Sequence, residues 1–283
     1  MRLANVGGRA HLVSGDRIVD IERVSGGRFP ADPMAVFPCW AELSTWAAHV
    51  DVDGAEVLDP TGLAAPVPHP RQVFAVASNY RDRPVVVEGS GPLPVTFTKF
   101  PSSLAGPYAK LPLPTATVDW EVELVVVIGR PTHAVPEDLA WDFVAGVTIG
   151  QDYSERTLQL GGPTPQFSLA KSFANFGPTG PVLVTTDELA DRDGLDLRCT
   201  VNGATVQEAN TRQMILPVPA LVSRLSAVCT LLPGDLVFTG TPGGLGMSMR
   251  PPRYLRVGDE VRSHITGIGE LCNVCVPAGP PEP

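Results

Sequence analysis

From Val73 onward the chain alternates short apolar runs with polar breaks marked by glycine and proline, a pattern of strands rather than long helices. VFAVA (73–77) and VTFTKF (95–100) read as strands. Glu121–Ile128 begins with alternation and becomes continuously apolar, as a strand buried on both faces does. Val147–Gln151 is again extended. LDLRCTVNGATVQ (195–207) reads as a hairpin centred on Asn202-Gly203, a pair that readily takes positive φ at both corners of a two-residue turn. DLVFTG (235–240), EVRSHI (260–265) and ELCNVCV (270–276) are late strands. Helical spacing is confined to Pro219–Val228 and to a segment opened by Pro136-Glu137-Asp138 and running to about Phe143, where proline in the first turn and acids near the N-terminus suit a helix. Strands with scattered helices and no regular βαβ alternation predict an α+β, β-dominated fold.

Residues 1–58 read as a small β-rich unit. Ala10–Val13 and Arg17–Ile21 flank the turn Ser14-Gly15-Asp16, and Trp40–Val50 has the spacing of a short helix. DPTGLAAPVPHP (59–70) holds four prolines and predicts a linker or extended crossover. Residues 71–276 form the expected main domain, and PAGPPEP (277–283) a disordered tail.

Composition narrows the partners. The net charge is −9 and no Lys/Arg cluster is present, which argues against nucleic acid. Met1–Leu12 lacks the apolar core of a signal peptide, and no apolar run is long enough to span a bilayer, so a cytoplasmic protein with no membrane partner is expected. Five cysteines, an odd number, fit a reducing compartment. Cys272 and Cys275 form C-x-x-C, but they fall in a strand and no second pair completes a zinc site. Phosphate-loop, dinucleotide-binding and serine-hydrolase motifs are all missing.

The candidate chemistry is carboxylate chemistry. Glu121 and Glu123, at i and i+2 of a strand, share one face about 6.6 Å apart. They run directly into the apolar stretch 124–128, where like charges are costly unless a cation neutralises them. Asp152 closes the segment Val147–Gln151 at a strand end. Three carboxylates with no Cys or His among them suit a hard cation, Mg²⁺ or Mn²⁺, rather than zinc. A solvated strand face carrying two acids is the plain alternative. Lys99, Ser102 and Ser103 read as a polar loop after a strand. TGTPGG (239–244) follows another strand, and reads either as a ligand-approaching loop or as an ordinary tight turn.

Eight collinear stretches resemble the fumarylacetoacetate hydrolase family: SNYRD (78–82), TKFPSSLAGP (98–107), VDWEVELVVVIGR (118–130), VAGVTIGQDYSER (144–156), LAKSFANFGPTGP (169–181), VNGATVQEANT (201–211), LLPGDLVFTGTPGGLG (231–246) and GIGELCNVCV (267–276). The resemblance implies a mixed β-sandwich roll with a small N-terminal β-rich domain, commonly a homodimer, acting on a small oxo acid. It implies Glu121, Glu123 and Asp152 as metal ligands and Lys171 as the lysine beside the substrate. It also implies Arg156, Gln166, Thr241 and Tyr80 as substrate contacts.

The sequence departs from the family at one place. The family's hydrolases usually carry a His, and a Glu three residues on, just after the NYxD stretch, and this pair activates water. Here those positions are Arg83 and Val86. An arginine stays protonated and cannot serve as a general base, although its fork can bind a carboxylate. Pro84 disfavours helix at Arg83. Asp82 and Glu88 are nearby acids that could replace the base. A cation that chelates a 2-oxo acid or 1,3-dicarbonyl still stabilises an enolate without that pair. The reading is therefore an enzyme of isomerisation, decarboxylation or elimination. C–C hydrolysis is the alternative, and a non-catalytic small-molecule binder the second alternative.

Overall fold

The structure is a computed structural model that describes residues 1–52, 55–82 and 95–279. Arg83, Val86 and Glu88 therefore lie outside the described residues, as does the end of the expected tail, residues 280–283.

In chain order the strands are β1 (Arg2–Val6), β2 (Arg9–Ser14), β3 (Arg17–Asp20), β4 (Glu56–Val57), β5 (Leu63–Ala64), β6 (Val73–Val76), β7 (Thr96–Thr98), β8 (Leu104–Ala105), β9 (Leu111–Leu113), β10 (Val118–Asp119), β11 (Val122–Ile128), β12 (Val144–Gln151), β13 (Ser154–Glu155), β14 (Gly177–Val184), β15 (Asp196–Val201), β16 (Ala204–Asn210), β17 (Leu236–Phe238), β18 (Glu260–Ile265) and β19 (Gly269–Pro277). The α-helices are α1 (Ile21–Val24), α2 (Trp40–Ala47), α3 (Arg156–Leu160), α4 (Phe167–Ala170) and α5 (Val218–Ser226).

A large sheet runs in the order β4-β3-β2-β1-β14-β12-β11-β17-β6-β7, with β5 added on β1 and β8 on β14; a second runs β16-β15-β18-β19-β9. The β-dominated α+β reading holds. β11 explains the arrangement. All seven of its residues are buried, and alternation splits the six apolar ones between two cores. Val122, Leu124, Val126 and Ile128 face a core shared with Leu197, Cys199, Val261, Ile265 and Leu271 of the second sheet. Val125 and Val127 face a core shared with Ile21, Phe29, Phe37 and Leu43 of the N-terminal segment. The continuously apolar stretch is thus a central strand covered on both sides.

The N-terminal residues share the large sheet with the main body, because Arg2 and Leu3 of β1 pair with Val184 and Leu183 of β14. Residues 59–70 pack closely: β5 pairs with β1, and Leu63, Ala65 and Val67 are buried. The Asn202-Gly203 hairpin forms as read, with φ of 53° and 78°. The segment after Pro136 is a 3₁₀-helix, Glu137–Phe143, rather than an α-helix. Ala140 and Trp141 are its buried side chains. The expected tail begins late, since Pro277 still belongs to β19 and pairs with Leu113. No helix among the described residues is long and apolar enough to cross a membrane.

Candidate metal centre

The site lies at one end of the strands in the large sheet, where β11 begins and β12, β17 and β6 end. Val122 pairs with Gln151, and the Asp152 amide donates to the Glu121 carbonyl at 2.9 Å. These two contacts set the acid that precedes β11 beside the acid that follows β12. Glu123 shares the face of Glu121 because strand side chains alternate. The result is a cluster of Glu121, Glu123 and Asp152 in which one carboxylate oxygen from each lies within 4.8 Å of the others. The three residues are buried, at 4%, 1% and 1% exposure.

Cations surround this cluster. Lys171 Nζ donates to Glu121 Oε2 at 2.9 Å and to Asp152 Oδ2 at 2.5 Å. Lys99 Nζ donates to Asp152 Oδ1 at 2.8 Å, to Phe176 O at 3.3 Å and to the Lys171 carbonyl. Arg156 donates from Nη2 to Glu121 Oε1 at 2.7 Å, from Nε to Asp119 Oδ2 at 3.0 Å and from Nη1 to Gln159 Oε1 at 2.8 Å. Asp119 also accepts the amides of Gly246 at 2.9 Å and Met247 at 3.1 Å, which ties the 242–254 loop to the site. Among the described residues, Glu121, Asp152 and Asp119 form ion pairs with Lys99, Lys171 and Arg156. The excess acid falls on Glu123, whose Oε2 accepts the Gly240 amide at 2.8 Å. Burial first, and then the charges of Asp152 and Glu121, push the Glu123 carboxyl well above the usual carboxylate range.

These features fit a hard divalent cation. The donor atoms are all oxygen, they converge, and the cluster carries more acid than its own cations neutralise. Binding a cation must displace any proton that Glu123 retains. Mn²⁺ affinity should therefore rise with pH through the raised Glu123 titration, with protons released. The linkage has a definite sign. A carboxyl with a raised folded pKa supports stability below the ordinary carboxylate range, and this support is lost as pH rises through the folded value. Mn²⁺ should therefore raise the melting temperature more at high pH than at low. Calorimetric titration in buffers of different ionisation enthalpy and melting curves across pH check both statements.

Gly240 can supply its amide only because it has no side chain. Its φ is +97°, and a Cβ there would lie 2.8 Å from Asn79 Cβ and 3.1 Å from Val76 O. Gly240→Ala should destabilise the fold by about 1–3 kcal/mol. It should also weaken Mn²⁺ binding, because Glu123 loses its fixed donor; chemical denaturation and Mn²⁺ titration measure the two effects.

A cavity of about 130 Å³ adjoins the carboxylates, and Ser78, Phe97, Glu121, Arg156, Phe167 and Lys171 are in its wall. A larger open groove of about 1100 Å³, lined by residues such as Leu113, Arg250 and Tyr254, contains none of the three acids. The smaller cavity is the one beside the chemistry.

The other candidate residues fall out as follows. Thr241 is buried, and its hydroxyl is committed within the protein: it donates to Val122 O at 2.8 Å and accepts from Gln207 Nε2 at 2.8 Å. Gln166 is exposed at the start of α4, and its backbone amide donates to Gln159 O at 2.9 Å. Tyr80 is fully buried, and its hydroxyl has no partner among the described residues. Burial and the charge of Glu123 push this phenol up, so it stays protonated. Asp82 accepts the Gly243 amide at 2.9 Å, which clamps the end of the SNYRD stretch to the TGTPGG loop. Ser103 Oγ donates to Phe100 O at 2.8 Å within its own turn. All five cysteines are free, and burial pushes Cys199 and Cys275 up to about 12, far from a reactive thiolate.

Lys99, Asp119 and Gln159 belong to the constellation and are missed by sequence reading. Lys99 reads as part of a polar loop after a strand, with nothing to mark it as wholly buried. The available signal was electrostatic: three acids committed to an apolar sheet edge require buried cations nearby.

Known proteins resemble this chain in sequence and in fold. The sequence profile described as Fumarylacetoacetate (FAA) hydrolase C-terminal matches residues 72–276. Over 220 residues the chain is 41% identical to the mitochondrial oxaloacetate tautomerase FAHD2A of Bos taurus, covering 75% of this chain and 68% of that protein. A Mycobacterium smegmatis crystal structure with the provisional name HpcE shares 50% identity at a TM-score of 0.91, covering 98% of this chain and 100% of the other. The maleylpyruvate hydrolase of Sphingobium sp. SYK-6, solved with manganese(II) and pyruvate, shares 30% identity at a TM-score of 0.82, covering 99% and 100%.

Proposed function

The chain belongs to the fumarylacetoacetate hydrolase family, and on that footing we propose that it is an enzyme of enolate chemistry on small oxo acids, with keto–enol tautomerisation ahead of C–C hydrolysis. The observation that carries this reading is the Lys171 ammonium, held across Glu121 and Asp152 at the wall of a small cavity. Glu121, Glu123 and Asp152 would hold Mg²⁺ or Mn²⁺, which when bound supplies Lewis-acid stabilisation of an enolate.

The protein's own groups do the remainder. Glu121 and Asp152 take two of the three Lys171 N–H groups, and the third is left for the substrate oxygen on which negative charge grows, in a site where burial strengthens the interaction. Arg156 holds Glu121, and Lys99 holds Asp152, so the acids keep their positions as charge develops. Phe97 and Phe167 stack at 5.3 Å between ring centroids beside Lys171 and limit water at the reacting carbons. Tautomerisation needs no co-reactant: one proton leaves the carbon beside the carbonyl and one arrives on the carbonyl oxygen.

Arg83 at the position of the usual water-activating His weighs against hydrolysis, which needs a positioned base. The likeness to oxaloacetate tautomerase supports the leading reading, and the manganese and pyruvate in the hydrolase relative support a cation with an oxo acid. Hydrolysis is retained as a second reading because the hydrolase relative matches over 99% of this chain.

Product analysis separates the two. The protein with Mg²⁺ is incubated with the enol form of oxaloacetate and with acetylpyruvate. Faster enol-to-keto conversion without cleavage of acetylpyruvate supports the proposal. Release of acetate and pyruvate would replace it with hydrolysis.

A further inference from the structure

Ser78 combines two unusual features. It is a non-glycine residue at φ +55°, a backbone region that serine rarely occupies. Its Oγ is buried and has no hydrogen-bond partner among the described residues. Buried hydroxyls are normally partnered, and unusual backbone conformations persist only where the surroundings force them.

The forcing is visible on both sides. Before Ser78, β6 is locked to β17 through Val73–Leu236, Phe74–Val237 and Ala75–Phe238. After it, the Asn79 side chain donates to Leu216 O at 3.0 Å and Thr239 O at 2.8 Å and accepts the Leu216 amide at 2.9 Å. Tyr80 then bridges to Met214. Val76 and Ala77 stay extended against β7, through the Val76–Thr96 pair and the Ala77 amide donating to Val95 O at 2.9 Å, so the turn before Asn79 falls on Ser78.

The turn sets Ser78 into the wall of the cavity that holds Glu121, Arg156 and Lys171. Arg156, Lys171 and Gln159 already have protein partners there. Ser78 brings a donor with no partner among the described residues, on a rigid backbone. Serine is also small, so the cavity keeps its volume at this point.

We infer that Ser78 is a substrate-positioning residue of the oxo-acid site proposed above, donating its Oγ–H to an oxygen of the bound acid; the inference rests on that proposal and adds a residue that selects among oxo acids. The substrate class it favours bears a carboxylate or carbonyl oxygen within reach of β6, in addition to the oxygens held at the carboxylate cluster.

The test uses the full chain, saturating Mg²⁺ and 3,3-difluoro-oxaloacetate, a 2-oxo diacid with no proton to lose beside the carbonyl, followed by fluorine NMR. Two variants separate hydroxyl from backbone. Ser78→Ala removes the donor, and Ser78→Gly removes the donor while relieving the positive φ. Both should bind the probe about ten- to hundred-fold more weakly than wild type, the loss of one hydrogen bond to a charged group. Mg²⁺ affinity without the probe should be unchanged, and Ser78→Gly should melt no lower than wild type. Wild-type affinity in both variants would overturn the assignment of Ser78 alone. A parallel loss of Mg²⁺ affinity would show that Ser78 supports the carboxylates rather than the substrate, and would also overturn it. Absence of probe binding by wild type would overturn the oxo-acid reading and Ser78 with it.

Discussion

Glu123→Gln is expected to weaken Mn²⁺ binding by at least about 100-fold while leaving the cation-free protein no less stable than wild type. The two halves have one cause. Glu123 is 1% exposed, and its carboxyl is pushed up by burial and by Asp152 and Glu121. Its negative charge therefore opposes folding until a cation arrives. Glutamine keeps the shape, and its side-chain oxygen can still accept the Gly240 amide. It removes the charge that a hard cation needs, and even partners outside the ligand set typically alter metal affinity about 10- to 100-fold. At Mn²⁺ equal to about 100 times the wild-type Kd, wild type should gain about 2.7 kcal/mol of stability and the variant about 0.4 kcal/mol or less. Calorimetric titration and Mn²⁺-dependent melting measure both quantities. A variant that binds Mn²⁺ as wild type does would remove Glu123 from the site.

Lys171→Met carries the second large effect, which depends on whether a cation is present. Without one, the substitution strips Glu121 and Asp152 of a shared partner in a site where Lys171 is 2% exposed. Removing one member of a buried charged set typically costs about 3–5 kcal/mol, because the remaining charges stay buried. Mn²⁺ should recover much of that loss by neutralising the same two carboxylates. Turnover should not recover. Loss of a donor aimed at developing negative charge lowers kcat by about 10²–10³, with a smaller change in KM. Denaturant melts with and without Mn²⁺, followed by steady-state kinetics on the Mn²⁺-loaded variant, distinguish the two roles. Wild-type kcat in that variant would confine Lys171 to charge balance.

The legible part of this site lay in local periodicity. Glu121 and Glu123 at i and i+2, entering an apolar run, announced two acids on one face of a strand, and Asp152 at a strand end announced a third. The structure brings the three together because the β11/β12 register is closed by Val122–Gln151 and by the Asp152–Glu121 backbone bond. The hairpin at Asn202-Gly203 was equally readable, since its turn chemistry is local.

What stayed hidden depends on long-range packing. Lys99 lies 53 residues from Asp152 and 77 from Phe176, two of the groups that accept its hydrogen bonds. Nothing near Lys99 in the sequence marks it as buried. The N-terminal segment reads as a separate unit because its own hairpin is self-contained, yet β1 continues the main sheet and Phe29, Phe37 and Leu43 cover its second face. The Pro136 segment carries α-helical start signals but forms a 3₁₀-helix at Glu137–Phe143. Ser78 was invisible to pattern reading because its backbone angle is imposed by anchors at Thr239 and Leu216, far along the chain.

The proposed function requires that Glu121, Glu123 and Asp152, once they hold a cation, speed enolisation of a small oxo acid. Proton NMR of oxaloacetate in D₂O measures this directly as the rate of deuterium entry beside the carbonyl. Wild type, wild type with a chelator and Glu123→Gln are compared at equal free Mg²⁺ where Mg²⁺ is present. Exchange that is fast only in wild type with Mg²⁺, well above the rate that Mg²⁺ gives without protein, is the predicted result. Exchange no faster than that background, or equally fast with the chelator and in Glu123→Gln, would contradict it.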